Sequence, residues 1–249
     1  MRVLDSHSPP AVAALIEVPS APKIVSPGHL SKNYVQDSHR DRFDRENALL
    51  KLYGLRPDMV FLGDSLTQDW PVASLFSDLF PVVVNRGVGG DTAKDLHLRV
   101  EADVLQLQAK NVHLMIGTND IAYRFGYDST ATIVENYVRD ISGILQQFQD
   151  AGIHCYLGTV TPQRQTLLHD REYERKTEIV PLFNDFLREK AAAMKMTLVD
   201  YHPHFYNPDF TLRDELYTDG VHHTALGQYV LTQVLRNCVQ SRTSQYGRE

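Results

Sequence analysis

Short apolar runs alternate along this chain with longer segments of helical spacing, and this alternation constrains the fold more than any other feature. Five runs have the length and apolar character of buried strands: residues 59–62, 82–84, 112–116, 153–157 and 197–199. Strands that alternate with helices indicate a parallel sheet covered by helices on both faces. Because crossovers between parallel strands are right-handed, the simplest strand order is 2-1-3-4-5. The sequence therefore predicts an α/β fold with a five-stranded parallel sheet.

Three segments carry the clearest helical signals. Apolar positions recur with helical spacing over residues 133–148, and Gly152 supplies an end signal. The charged segment 31–52, followed by Gly54, predicts a helix packed beside the first strand. Residues 226–238 predict a closing helix.

A chain of 249 residues with 43% hydrophobic content is long enough for one sizeable core and too short to require two. Residues 1–30 contain five of the twelve prolines and show no sustained periodicity, which is typical of an extended or disordered arm. No repeat, low-complexity tract or linker interrupts residues 55–240. We therefore expect a single domain over residues 31–249.

Charge, early apolar content and cysteine positions indicate the class of partner, the location and the state of the thiols. The formal net charge is -6, so the chain lacks the basic footprint of a nucleic-acid-binding protein, and a small-molecule partner is expected. The longest early apolar run, residues 11–16, is shorter than a signal-peptide core or a membrane span, which favours a cytoplasmic protein. Cys155 and Cys238 lie far apart and are expected to be buried free thiols. A homo-oligomer stays open as an alternative to a monomer.

Polar motifs follow the predicted strands at the edge where ligands bind. Ser65 comes directly after the first strand, Gly90 lies in the loop after the second, and Asn119 follows the third. In open α/β sheets, ligands bind at the carboxyl edge, at a switch point that this strand order places between the first and third strands. His222 arrives on the long loop after the fifth strand. We expect these four residues to surround one crevice.

These residue types suit acyl transfer by a serine nucleophile. Serine needs a base within hydrogen-bond reach and a third group that orients the base. Asp219 and His222 provide both, because an Asp three positions before a His on a tight turn can hold one imidazole nitrogen and leave the other for Ser65. Fixed donors for the oxyanion are the N–H of Ser65, the N–H of Gly90 and the side-chain amide of Asn119. We expect Asn119 to serve the oxyanion and not to hold the fold.

Each motif alone also has an ordinary structural interpretation. A Gly-Asp-Ser triplet suits a strand-ending turn, the glycine-rich stretch 87–90 a tight loop, and Asn119 a turn. Asp219 alone would suit a helix N-cap, and His222 a surface or capping position. The dinucleotide motif fails because Thr92 stands where its last glycine is required, and no cofactor is expected. The order of all the motifs along the chain favours the catalytic interpretation.

The combined motifs resemble those of the SGNH (GDSL-type) hydrolases. The family's signature Ser, Gly, Asn and His, and the Asp of its DxxH motif, match Ser65, Gly90, Asn119, His222 and Asp219. The resemblance covers about residues 34–240. It implies a flavodoxin-like three-layer α/β/α sandwich and metal-free ester hydrolysis by a serine nucleophile.

Further stretches are similar to the family branch that contains the platelet-activating-factor acetylhydrolase catalytic subunits. These are FLGDSLTQDW, NRGVGGDT, the GTN step and the upstream aromatic helix with His39 and Phe43. The branch implies a small-molecule ester with a short acyl group such as acetyl. The charged region 163–176 has no counterpart in the family that we can assign.

Other functions use the same residues differently. Longer acyl chains would make the protein a lysophospholipase or a thioesterase, and loss of turnover would make it a binding module of the same fold. A metallohydrolase would draw its ligands from a histidine and aspartate group: His202, His204, His222, His223, Asp200 and Asp219. An irregular His-Pro-His loop lacks the rigid presentation of a helical zinc motif, and chelator sensitivity distinguishes the two chemistries.

The family often has Pro or an apolar residue after its catalytic histidine, whereas this chain has His223. Side chains of consecutive residues entering a helix point roughly 100° apart, so only one of the two histidines can face Ser65 and touch Asp219. The three-residue spacing favours His222. His223 is expected beside the pocket rim.

Overall fold

The computed structural model describes residues 23–26, 34–122, 129–165 and 175–246. The predicted arm over residues 1–30 therefore lies outside the described residues, apart from 23–26. The charged region 163–176 is described only at its two ends.

The core of the fold is one parallel sheet in the order β2-β1-β3-β4-β5, which confirms the predicted topology. Its strands are β1 (Met59–Gly63), β2 (Val83–Gly87), β3 (Asn111–Met115), β4 (His154–Gly158) and β5 (Thr197–Val199). The second strand runs past the predicted end at residue 84. Its polar continuation is tolerated because the buried Arg86 pairs with Glu46 at 2.7 Å and donates to Asn47 at 2.6 Å.

Helices connect these strands and cover the sheet. They are α1 (Tyr34–Leu52), α2 (Ser65–Gln68), α3 (Val72–Phe76), α4 (Ala93–Asp103), α5 (Thr130–Asp150), α6 (Val180–Ala193) and α7 (Ala225–Tyr246). The three helices predicted from spacing are all present, and the closing helix continues eight residues beyond its predicted end at 238. Among the described helices, none is both long enough and apolar enough to cross a lipid bilayer.

Two apolar cores lie on opposite faces of the sheet, which gives the three-layer α/β/α sandwich. Alternate residues of β1 serve the two cores: Val60 and Leu62 pack with α4, α5 and α6, while Met59 and Phe61 pack with α3 and α7. All five residues of β1 are buried. The carboxyl end of β1 is consequently fixed by packing from both faces, and the residues that follow it start from a rigid position.

Both cysteines are free thiols. Cys155 is buried, as expected, and burial raises the pKa of its thiol well above the ordinary value. Cys238 is only half-buried, because it lies on α7 at the margin of the second core, so the expectation of two buried thiols is wrong for this residue.

Candidate active site

Ser65 is presented at the carboxyl end of β1 by a sharp reversal of the chain. The strand ends at Gly63, and the Asp64 carboxylate accepts a hydrogen bond of 2.9 Å from Leu66 N–H to start α2. A Cβ at Gly63 would lie 2.2 Å from Thr67 Oγ1 and 2.5 Å from Met115 O. Glycine is therefore required for α2 to pack this closely over the strand end, and the reversal leaves Ser65 half-buried at the sheet edge.

Three predicted residues come together in a hydrogen-bonded chain. Ser65 Oγ lies 3.0 Å from His222 Nε2, although the two residues are 157 positions apart in the sequence. His222 Nδ1 lies 2.7 Å from Asp219 Oδ2. With Nδ1 protonated toward Asp219, Nε2 is the acceptor that faces the serine hydroxyl.

The loop that carries His222 is held by its own aspartate. Asp219 Oδ1 accepts hydrogen bonds from the backbone N–H of Val221 at 2.9 Å and of His222 at 2.8 Å. Gly220 has a φ of +95°, which glycine adopts without strain. Asp219 thus caps a turn and not a helix, since α7 begins only at Ala225.

The same bonds set the charge of Asp219. Partial burial raises its pKa, but donation from the His222 ring and from the backbone N–H groups of His222 and Val221 outweighs burial, and the pKa falls below its usual value. Asp219 is therefore a carboxylate across the neutral pH range.

Gly90 lies in a tight turn next to Ser65, since a Cβ at the preceding Gly89 would lie 3.7 Å from Ser65 Cβ. Asp91 N–H donates to Val88 O at 3.2 Å, and Gly90 has the positive φ of +87° that the third position of a type II turn requires. Gly89 N–H donates to Gln68 Oε1 at 2.9 Å, which ties this turn to α2. Among the described residues, the N–H of Gly90 has no acceptor.

Asn119 follows β3 and is 6% exposed. Its Nδ2 donates to the backbone oxygen of Asp91 at 3.0 Å, which leaves its second N–H for another acceptor. The expectation that Asn119 does not hold the fold is therefore wrong, because this bond fastens the Gly90 turn to the end of β3.

His223 does not lie at a pocket rim. It is 8% exposed, and its ring packs against Phe205 and Tyr217 at centroid distances of 4.8 and 5.5 Å. Neither ring nitrogen has a hydrogen-bond partner among the described residues, and burial lowers the pKa of His223 to about 3. The residue is a neutral core histidine next to the loop of His222, and the expectation of a rim position is wrong.

Three buried carboxyl groups behind the site were missed from the sequence. Burial raises the pKa of Asp64 to about 7, of Asp120 to about 7 and of Asp91 to about 6, and repulsion from neighbouring carboxylates adds to each rise. Asp64 and Asp91 belong to the quoted GDS and GGDT letters, and Asp120 directly follows the GTN step, but only the folded chain shows that all three are desolvated.

The histidine and aspartate group proposed as a metal site is dispersed. His222 bonds to Asp219, His223 packs among aromatic rings, and His202 lies against the ring of Tyr206 at 5.2 Å. The described part of the chain contains no group of three or more His, Cys, Asp or Glu side chains that could hold a metal ion.

Comparison with known proteins adds independent support for the motifs. Residues 61–230 match the model of the GDSL-like Lipase/Acylhydrolase family. The platelet-activating factor acetylhydrolase IB subunit alpha1 of Rattus norvegicus is 26% identical over 185 residues, which cover 73% of this chain and 74% of the rat protein.

Solved structures show the same fold. A GDSL-like lipase from Bacteroides thetaiotaomicron superposes with a TM-score of 0.69 at 23% identity, covering 81% of this chain and 97% of the other. Axe2, an acetylxylan esterase from Geobacillus stearothermophilus, superposes with a TM-score of 0.58 at 21% identity, covering 73% and 93%.

Proposed function

The chain belongs to the GDSL-like lipase/acylhydrolase family and is a carboxylic ester hydrolase, and from that premise we propose that it cleaves esters of short acyl groups such as acetyl, using Ser65, His222 and Asp219. The observation that carries the proposal is the Ser65 Oγ to His222 Nε2 distance of 3.0 Å, with Asp219 bonded to the other ring nitrogen.

The geometry supports a two-step reaction. As Ser65 Oγ bonds to the ester carbonyl carbon, His222 Nε2 takes the hydroxyl proton, and Asp219 stabilises the imidazolium that forms. The imidazolium then gives that proton to the departing alcohol oxygen, which leaves an acyl-serine. Water, deprotonated by the same nitrogen, attacks the acyl-serine, and the acid is released as Ser65 recovers its proton.

Three donors would stabilise the oxyanion that forms in each step. These are the backbone N–H groups of Ser65 and Gly90 and the second N–H of Asn119. All three lie at the carboxyl edge of the sheet, and the bond of Asn119 to Asp91 O holds two of these donors relative to each other. Donors fixed in advance favour the transition state because nothing reorganises when charge appears.

Replacing Asn119 by alanine is expected to lower kcat by roughly 10²- to 10³-fold, with little change in KM. The unfolding free energy should also fall by about 1–3 kcal/mol, because the buried oxygen of Asp91 loses its donor. Asn111→Ala is the matched control, since Asn111 Nδ2 bonds a backbone oxygen at the opposite end of β3. Steady-state kinetics of both variants measure kcat and KM, and thermal unfolding measures their stability. A rise in KM alone, or an equal loss of kcat in the control, would refute the oxyanion role.

The rate should depend on pH through the histidine base. A histidine accepts a proton only when neutral, so kcat/KM should fall on the acidic side of the profile, where the base becomes protonated. Asp219 should not contribute to this fall in rate, because its pKa in the folded protein is lowered and it stays ionised. The ionised carboxylate contributes to folding stability above its unfolded pKa, and this contribution is lost only as the pH falls through the lower folded pKa.

The control for this profile is Asp64→Asn, because burial raises the pKa of Asp64 to about 7 and asparagine can still cap α2. The acid limb should persist in that variant when kcat/KM is measured across pH 5–8. A flat wild-type profile, with the chemical step shown to limit the rate, would contradict a histidine base.

The acyl preference is supported by the relatives. The rat protein is named an acetylhydrolase, and the Geobacillus protein is an acetylxylan esterase. A series of p-nitrophenyl esters from acetyl to palmitoyl tests this point. We expect kcat/KM to be highest for acetyl and to fall by at least about tenfold at the long end of the series. A maximum at long chains would favour the lysophospholipase or thioesterase alternative, and loss of activity with chelator would favour a metal-dependent one.

A further inference from the structure

We propose that Arg99 is a positioning residue for ester hydrolysis, acting through the nucleophile and the oxyanion donors that it holds in register. This inference rests on the proposed function, because it assumes that Ser65, Gly90 and Asn119 perform the chemistry. Arg99 lies on α4 and belongs to none of the motifs identified in the sequence.

The guanidinium of Arg99 is a buried cross-link between four parts of the chain. The residue is 4% exposed. Its Nη2 donates to Gly63 O at 3.0 Å, and its Nε donates to Asp91 Oδ2 at 2.8 Å. Its Nη1 donates to Arg86 O at 2.9 Å and to Asp103 Oδ2 at 2.8 Å. One planar group thus joins the ends of β1 and β2, the turn after β2, and α4.

Two of these acceptors lead directly to the proposed catalytic groups. Gly63 precedes Ser65 by two residues, and its carbonyl oxygen also accepts the N–H of Val88 at 3.0 Å. The link therefore holds the nucleophile against the start of the oxyanion turn.

The second acceptor, Asp91, directly follows Gly90 in that turn. Its backbone oxygen is the acceptor for Asn119 Nδ2. Arg99 thus holds the residue to which the side-chain oxyanion donor is bound, while Gln68 holds the turn from the other side through Gly89.

This role needs the geometry of arginine and not only its charge. A guanidinium presents its donors in a rigid planar fork, whereas a lysine ammonium is a single point on a flexible stem and cannot span all four acceptors. Oxyanion donors must be held within about 0.5 Å of their working positions, and a shift of about 1 Å can cost 10²-fold in rate. Loosening this cross-link should therefore reduce stabilisation of the transition state more than it reduces substrate binding.

Arg99→Lys is the informative variant, because it keeps a cation beside the buried carboxylates of Asp91 and Asp103. We expect kcat to fall by about 10- to 100-fold, with KM within about threefold of wild type. Arg236→Lys is the matched control, since Arg236 also donates to a backbone oxygen and a carboxylate, those of Leu75 and Asp78, near the surface. Its kcat should stay within about twofold.

A double-mutant cycle with Asn119→Ala separates positioning from general loosening. If Arg99 acts in part through Asn119, adding Arg99→Lys to Asn119→Ala should lower kcat by a smaller factor than Arg99→Lys does in the wild-type chain. Three results would overturn the inference: fold-losses in kcat that multiply in the double variant, a change in KM alone, or a folded Arg99→Lys variant with wild-type kcat.

If Arg99→Lys does not fold, Asp91→Asn weakens the same link and is judged by the same criteria. Ser65→Ala is measured in parallel: retained activity there defeats the proposed function, whereas its loss beside an unaffected Arg99→Lys defeats only this inference.

Discussion

Replacing Ser65 by alanine should lower kcat by about 10⁴- to 10⁶-fold, with a small remaining rate from the oxyanion donors. The expected loss is this large because the proposed mechanism forms the acyl intermediate on Ser65 alone. The side chain is half-buried and its Oγ bonds to His222, so its removal leaves the packing of both cores intact. Hydrolysis of p-nitrophenyl acetate, with circular dichroism to show the fold, measures the effect.

Ser74→Ala is the matched control for this variant. Ser74 Oγ donates to Pro71 O at 2.9 Å on the exposed start of α3, so its removal deletes a serine hydroxyl without touching the site. Its kcat should stay within about twofold of wild type. Activity retained in Ser65→Ala would sink the assignment of the nucleophile.

The two adjacent histidines should respond to alanine in opposite ways. His222→Ala should lower kcat by at least about 10³-fold, because the hydroxyl of Ser65 would lose its proposed base. His223→Ala keeps kcat within about tenfold but lowers the unfolding free energy by about 2–5 kcal/mol, since it leaves a cavity against Phe205 and Tyr217. Kinetics below the unfolding temperature, together with thermal unfolding, report both effects. The reverse pattern would mean that the pairing of Asp219 with His222 is wrong.

Much of the architecture is determined by local sequence patterns and can be predicted for that reason. Apolar run length identifies each strand, and the handedness of crossovers gives the order of all five. The Asp219 and His222 spacing is equally local, because a three-residue turn limits which ring can face the carboxylate. The second strand was predicted too short because Arg86 reads as a surface residue until Glu46 and Asn47 are seen beside it.

The remainder depends on contacts between distant residues. Arg99 reaches Gly63 across 36 positions, and Gln68 reaches Gly89 across 21, so no spacing rule connects them. For His223, the turn geometry gives a direction different from that of His222 but does not say whether that direction leads to solvent or to protein. The extended arm, the cytoplasmic location and the oligomeric state stay predictions.

Covalent trapping of the nucleophile tests the central claim most directly. A fluorophosphonate reacts with an activated serine hydroxyl, so its adduct marks the residue that attacks the ester. Mass spectrometry of the digested protein should find one adduct, on the peptide that contains Ser65, absent in Ser65→Ala and formed far more slowly in His222→Ala. An active enzyme that takes the label on another residue, or labels at the same rate without His222, would contradict the account.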